Sequence, residues 1–350
     1  MTTHAPGLPH LIESEKRLDE TMSRPSSELV RFARSLGGDL LVLGVGGKVG
    51  LTLAALAARA FREAGTSARV IGVSRFSEPG QRERLEENGI ETISCDLMDR
   101  SKLEKLPDAK HVVFKAGRKF GSTGGEPLTW AVNVFLPGLV AERFAESRIV
   151  AFSTGNVYPF VPVDSGGATE ATRPSPIGDY AQSCLGRERI LEYFSEKNGT
   201  PIALIRLNYA IDLRYGVLLD LAQAVLEGRL IDPRMSHVNV IWQGDACHMI
   251  MRSFGTCASP ARILNVTGPE AVSVRSVAER FGGILGRAPR FEHQEEEETA
   301  LLADSSEACR LFGGPPTSVE QMIRWLAHWV EIGGPTYDKP THFTERRGEF

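Results

Sequence analysis

Gly44, Gly47 and Gly50 fall three residues apart in the run Gly44-Val45-Gly46-Gly47-Lys48-Val49-Gly50. Glycines so spaced suit a phosphate. One lets the chain turn sharply, one lets a pyrophosphate approach bare backbone N–H groups, and one lets the next helix pack closely. A nucleoside-triphosphate loop does not fit, because the first glycine of that motif and the hydroxyl residue after its lysine are both missing. The chemistry offered is capture of a dinucleotide. Roughly 20 residues past the glycines such a site usually carries an acid for the ribose hydroxyls. Here Ser74 and Arg75 occupy that place. A hydroxyl and a guanidinium suit a 2'-phosphate, so NADP is expected ahead of NAD, its alternative. The other reading makes Arg75 an exposed turn residue and gives the ribose to Glu78. Asp96 and Leu97 stand where they would meet the adenine end, unless Asp96 merely caps the next helix.

The elements that would position these residues alternate. LLVLGV (40–45), ARVIGVS (68–74), TISCDL (92–97), HVVFKA (111–116), RIVAFS (148–153) and IALIRL (202–207) read as fully buried strands, with helix-length segments such as 51–65 between them. Such alternation implies an α/β fold, a doubly wound parallel sheet of Rossmann type. Ahead of it, residues 1–37 form an extension whose stretch 26–36 has a helical apolar stripe. That helix is expected on the main domain, with a dimer contact as the alternative. After Asn208 the rhythm turns irregular. Helices near 217–226, 245, 273–285 and 318–330, with strands at 237–242 and 263–268, suggest a smaller mixed C-terminal lobe. The expected division is therefore 1–37 extension, 38–208 dinucleotide-binding domain, 209–335 substrate lobe and 336–350 tail. The tail is expected to be polar and loosely held, and the acidic run Glu295 to Glu298 a solvated surface.

Composition narrows the function classes. The 40 basic and 44 acidic residues leave a net charge of -4, which favours no nucleic-acid partner. No stretch approaches the roughly 20 apolar residues of a membrane span. His4, His10, Glu13, Glu15, Lys16 and Asp19 occupy the start, where a signal peptide needs an apolar core, so a cytoplasmic location is expected. Five scattered cysteines without a Cys-x-x-Cys pair suggest neither disulfides nor a metal site.

Further motifs follow the strands in order. They are Lys115-Ala116-Gly117, Asn133, the run Ser153-Thr154-Gly155-Asn156-Val157-Tyr158, Tyr180, and Arg206-Leu207-Asn208-Tyr209. With the glycines and Asp96-Leu97 they make the chain resemble the extended short-chain dehydrogenase/reductases, in particular the NAD-dependent epimerase/dehydratase family, which acts largely on nucleotide sugars. The resemblance runs from about Asp39 to Val330. It implies a nicotinamide cofactor held by Gly44, Gly46, Gly47, Lys48, Val49, Gly50, Ser74, Arg75, Asp96, Leu97, Lys115, Ala116, Gly117, Asn133, Tyr180, Leu207 and Asn208. It further implies that Thr154, with Ser153 as competitor, holds a substrate oxygen while Tyr180 exchanges its proton. A homodimer and a small polar or sugar-like substrate also follow from it.

One position departs from the family. Its tyrosine is followed four residues on by a lysine, on the same helical face; here Tyr180-Ala181-Gln182-Ser183 leads to Cys184. A positive charge at about 5 Å and an effective dielectric of about 20 contributes on the order of 3 kcal/mol, or about two pKa units, to a phenolate. Three readings stay open. Another cation replaces the lysine, with Lys119 preferred over Lys115 and Arg187. Alternatively, Cys184 takes part as thiol or thiolate. In the third, proton transfer by Tyr180 is lost, leaving a non-catalytic dinucleotide-binding regulator or scaffold. Arg214, Tyr215, Arg234, His237 and Trp242 lie where the family lines its substrate pocket, and arginines there would suit an anionic or phosphorylated ligand. His237 and Trp242 are expected to pack, Asp245 to cap a helix, and the loop 121–127 to be a mobile neighbour of the nicotinamide or a plain connection.

Overall fold

The computed structural model describes residues 7–339 and 341–349. Seven strands form one parallel sheet: β1 (Leu40–Leu43), β2 (Val70–Ser74), β3 (Glu91–Ser94), β4 (His111–Phe114), β5 (Arg148–Thr154), β6 (Ile202–Leu207) and β7 (Arg262–Val266). Their order across the sheet is β7-β6-β5-β4-β1-β2-β3, all pairs parallel. The order reverses between β1 and β4, which opens a crevice at the carboxyl ends where ligands of such sheets bind.

Apolar runs put β1, β2, β4, β5 and β6 in the interior, buried along almost their whole length. β3 was expected to be buried too, but it is the sheet's edge, with Glu91 and Ser94 exposed. A second difference concerns 263–268. Expected in the smaller lobe, this segment supplies β7, which pairs Ile263 with Leu204 and Val266 with Leu207 on the main sheet. Periodicity shows that a segment is a strand but not which sheet it joins, and here the chain returns to the main sheet after leaving it.

Two helices precede the sheet. The first, α1 (Glu15–Met22), was not anticipated; the second, α2 (Ser27–Leu36), was, and the Ser26 hydroxyl accepts from Leu29 N at 3.2 Å to cap it. Both pack within the chain. Leu18 and Met22 of α1 join the core of the C-terminal helices, while Leu29, Ala33 and Leu36 of α2 join the core beneath α3 (Lys48–Ala64).

The remaining helices run in order: α4 (Gln81–Glu87), α5 (Arg100–Glu104), α6 (Glu126–Trp130), α7 (Leu136–Arg143), α8 (Gly178–Asn198), α9 (Val217–Glu227), α10 (Gln243–Arg252), α11 (Val274–Leu285), α12 (Ser306–Phe312) and α13 (Val319–Glu331). On one face of the sheet α2, α3 and α10 share a core; on the other α7 and α8 do. A third core joins α9, α11 and α13, where Trp242 and Trp325 meet at 5.0 Å. Trp242 therefore packs, as expected. Asp245 does not cap α10: Trp242 is its N-cap residue, and Asp245 lies buried in the first turn, accepting from Thr317 N at 3.0 Å.

The tail differs most from expectation. Trp329 Nε1 donates to Pro335 O, Tyr337 N to Arg214 O, and Thr341 N and Oγ1 to the Asp220 carboxylate. Arg346 donates to Thr299, and Gly348 lies against Gly178. A polar segment can be firmly held when each polar group finds a partner, which composition alone does not reveal.

Candidate active site

β1 ends where Gly44 takes φ +87, a backbone state that only glycine adopts easily. A side chain there would stand 2.7 Å from Ala116 N, so the loop closes directly on the end of β4. A Cβ at Gly50 would collide with the Val45 carbonyl, which fixes α3 tightly against the sheet. At Gly47 a Cβ would collide with the Lys115 ammonium, so that cation stands over the glycine loop. Burial pushes the Lys115 amine down to about 8. The α3 N-terminus and the Lys115 cation both favour an anion at this place. Bare glycine backbone beneath a buried cation fits a pyrophosphate.

The loop opens into a cavity of about 680 Å³ that also reaches Lys119, Thr154, Tyr180 and Cys184. Of the dinucleotide residues expected from sequence, Gly46, Gly47, Lys48, Val49, Lys115, Gly117, Asn133 and Leu207 line it. Asn208 lines the adjoining chamber. Ser74, Arg75, Asp96 and Leu97 do not. Ser74 Oγ lies beneath the loop, 2.7 Å from where a Gly46 Cβ would be. Arg75 is exposed, and Leu97 is buried in the core. Asp96 is exposed and accepts from Met98 N at 3.0 Å, whereas Asp99 caps α5. That end of the cavity is lined by Glu78, Gln81 and Arg84. Gln81, missed in the sequence, donates from Nε2 to Gly46 O at 2.8 Å.

Thr154 ends β5 and Tyr180 stands in the first turn of α8. Burial drives the Tyr180 hydroxyl well above its usual range; the Cys184 sulfur adds to this, while contacts with Thr154 and the Arg187 charge oppose it. Burial likewise pushes the Cys184 thiol up. The Lys119 ammonium lies 5.8 Å from the Tyr180 ring centre, its own amine lowered to about 8 by burial. Lys119 also donates to Thr341 O of the tail at 3.4 Å. The fold thus brings Lys119, from the loop after β4, beside the tyrosine whose helix lacks the family's lysine.

Arg187 is committed elsewhere. It donates to Phe152 O and to Asn133 Oδ1, each at 2.8 Å. Asn133 sits in a one-turn π-helix, 131–135, between α6 and α7, and it also holds Arg118 N and Ser183. A π-turn inserts a residue into a helix and re-aims a side chain, here Asn133 towards the cavity floor. Ser153 is likewise engaged, donating to Glu188 at 2.5 Å. Glu188 pairs with Arg206 at 2.7 Å in full burial, and Arg206 donates to Tyr158 Oη at 2.7 Å. Beneath Thr154 the site therefore rests on a buried, fully bonded network.

Towards the C-terminal helices the cavity joins a chamber of about 180 Å³, lined by Lys48, Lys119, Thr154, Asn156, Tyr180 and Tyr215 among others. The arginines expected to meet an anion there are already paired. Arg214 is bound to Asp212, Asp19 and Glu15, and Arg234 to Asp232 at 2.7 Å. The tail supplies Thr336, Tyr337, Lys339 and Thr341 to the walls; no local pattern in the sequence linked these to the glycine loop. Among the described residues no cluster of His, Cys, Asp or Glu could hold a metal ion, and no helix is long and apolar enough to cross a membrane.

A doubly wound seven-stranded sheet with a glycine loop at the switch point, a hydroxyl on the fifth strand and a tyrosine heading the next long helix is the architecture of the extended short-chain dehydrogenase/reductases. Over residues 40–211 the sequence matches the model of the NAD dependent epimerase/dehydratase family. No curated protein sequence matches it. Among solved structures it resembles UDP-glucose 4-epimerase with UDP-glucose from Thermotoga maritima, at 17% identity and a TM-score of 0.68 over 84% of this chain and 98% of that one. A UDP-glucuronic acid 4-epimerase variant from Bacillus cereus, in complex with its fluorinated UDP-sugar and NAD, is 20% identical, with a TM-score of 0.68 over 84% and 99%. The Thermus thermophilus UDP-glucose 4-epimerase complex with NAD is 19% identical, with a TM-score of 0.65 over 83% and 98%. These likenesses establish the fold.

Proposed function

We propose that the protein is a nicotinamide-dependent oxidoreductase or epimerase-like enzyme acting on a hydroxyl or carbonyl of a small sugar-like molecule. The observation that carries this reading is the meeting of Thr154, Tyr180 and the Lys119 ammonium in one cavity with the glycine loop. The cofactor, when bound, supplies hydride exchange. Its pyrophosphate suits Gly46, Gly47 and Lys115, and Gly117 and Asn133 suit its nicotinamide half. Thr154 would hold the substrate oxygen and Tyr180 would exchange its proton, with Lys119 in the electrostatic place of the absent lysine. Cys184 then serves as packing, because a buried thiol far from its thiolate range is a poor nucleophile.

NADP with Ser74 and Arg75 at its 2'-phosphate, or NAD as the alternative, is decided by calorimetry; tighter NAD binding overturns the NADP choice. The family resemblance and the apolar face of α6 to α8, where Leu128, Trp130, Phe135 and Tyr193 are exposed, together support a homodimer. The test of catalysis is Tyr180→Phe against a panel of sugars and polyols with either nicotinamide. Turnover abolished in a folded, cofactor-binding variant is expected. Turnover left intact refutes the mechanism, and a dinucleotide bound without turnover on any substrate favours the regulator.

A further inference from the structure

Resting on that reading, we infer that the substrate is a monosaccharide-sized acid, not a nucleotide sugar, and that Lys48 and Tyr215 select it by its carboxylate. Lys48 opens α3 from inside the glycine loop, yet its side chain leaves the loop. Its Nζ lies 2.9 Å from the Tyr215 ring centre, 5.2 Å from that of Phe120 and 5.8 Å from that of Tyr337. It is buried, with no hydrogen-bond partner among the described residues. The cation over the glycine loop is Lys115, so the pyrophosphate place is already served without Lys48.

An ammonium buried among rings gains cation–π attraction but stays short of hydrogen-bond acceptors. What it lacks is a hydrogen-bonded anion, since Asp212 acts on it through its charge alone. The chamber beside it contains a second ammonium, Lys119, and among the described residues its walls include no carboxylate. Burial, with the Lys339, Lys119 and Lys115 charges and against that of Asp212, pushes the Lys48 amine down to about 7.

Size gives the second half of the inference. A chamber of about 180 Å³ is smaller than the roughly 300–1,000 Å³ clefts that take drug-sized ligands. The tail lines it through Thr341, which is bonded to Asp220. Among the described residues the chamber's walls include no arginine to fork onto a diphosphate, and Arg214 and Arg234 of the same lobe are bonded to Asp212 and Asp232. One ammonium with polar side chains around it, Asn156, Asn208 and Gln243, suits one carboxylate and several hydroxyls.

The test uses the full chain loaded with its nicotinamide and the probes glucose, gluconate, glucuronate, glucose 6-phosphate, UDP-glucose and UDP-glucuronate. Turnover and calorimetric binding are both read. The two free acids should exceed glucose at least tenfold in kcat/KM or affinity. Lys48→Met should collapse that ratio through KM with dinucleotide affinity unmoved, and Lys48→Arg should retain it. A best response to glucose, glucose 6-phosphate or a UDP sugar overturns the inference, as does failure of the acids to bind. So does a Lys48→Met variant that loses dinucleotide affinity but keeps the acid preference. Acids that bind without turnover leave this inference standing and sink the catalytic reading, whereas UDP-sugar turnover does the reverse.

Discussion

Replacing Lys119 by methionine keeps the length of the side chain and removes its charge, which isolates the electrostatic task assigned to it. Its ammonium stands 5.8 Å from the Tyr180 ring centre. At an effective dielectric of about 20, a unit charge at that distance is worth about 3 kcal/mol to a phenolate, or about two pKa units. Burial already holds the Tyr180 hydroxyl far above its ordinary range, so the missing charge moves it in the wrong direction for a base. Lys119→Met should therefore shift the limb of the kcat profile that reports tyrosine deprotonation about two units towards alkaline pH. At neutral pH it should slow the direction that needs the base roughly 100-fold. Lys119→Arg should recover most of this. The Lys119 amine is itself near 8, so its support for the phenolate is present below that pH and is lost as pH rises through it. Steady-state rates between pH 5 and 10, with thermal melts to establish folding, read the outcome. A folded Lys119→Met variant whose limb moves by less than half a unit refutes the substitution of one lysine for another.

Cys184→Lys, which restores the family's spacing, should not rescue activity. The site is 2% exposed and already faces the Lys119 and Arg187 charges, so a melting temperature lowered by several degrees is expected, and an active, stable variant would count against Lys119. Gly50→Ala drives a Cβ into the Val45 carbonyl backbone and should cost about 1–3 kcal/mol in denaturant unfolding, together with dinucleotide binding; unchanged values for both would contradict the loop geometry. The Asp245 carboxyl is raised by burial to about 6 from 3.8. Its protonated form is the one the fold accepts, so its contribution is full below about pH 4 and lost by about pH 6. The two-unit shift corresponds to about 3 kcal/mol. Asp245→Asn should flatten that part of the stability profile relative to the parent, and parallel profiles would show that Asp245 does not titrate there.

Much of the dinucleotide half was legible because its signals are local. Strand runs and glycine spacing lie within a few residues of one another, and Gly44 turns the chain wherever the fold places it. Less was legible at the adenine end, where Ser74 and Arg75 were preferred from spacing while the wall is built by Glu78, the alternative, and by Gln81 and Arg84 of the following helix. The pairing of the substrate-lobe arginines, read as suited to an anionic or phosphorylated ligand, was hidden for a related reason. Arg214 and Arg234 each find an aspartate two residues earlier in the chain, a pairing that spacing permits but does not require.

The sequence by itself determined the parallel sheet, the glycine loop, the tyrosine at the head of its helix and the absence of the lysine four residues on. Each of these is a matter of residue type within one turn or one strand. Only the tertiary structure decided what surrounds them. Lys119 reaches Tyr180 from another loop, β7 returns to the main sheet from beyond the lobe, and the tail brings Tyr337 and Thr341 across the cleft to Lys48 and Lys119. These contacts join residues far apart in the chain, and burial, charge and hydrogen bonding settle them only once the core has closed.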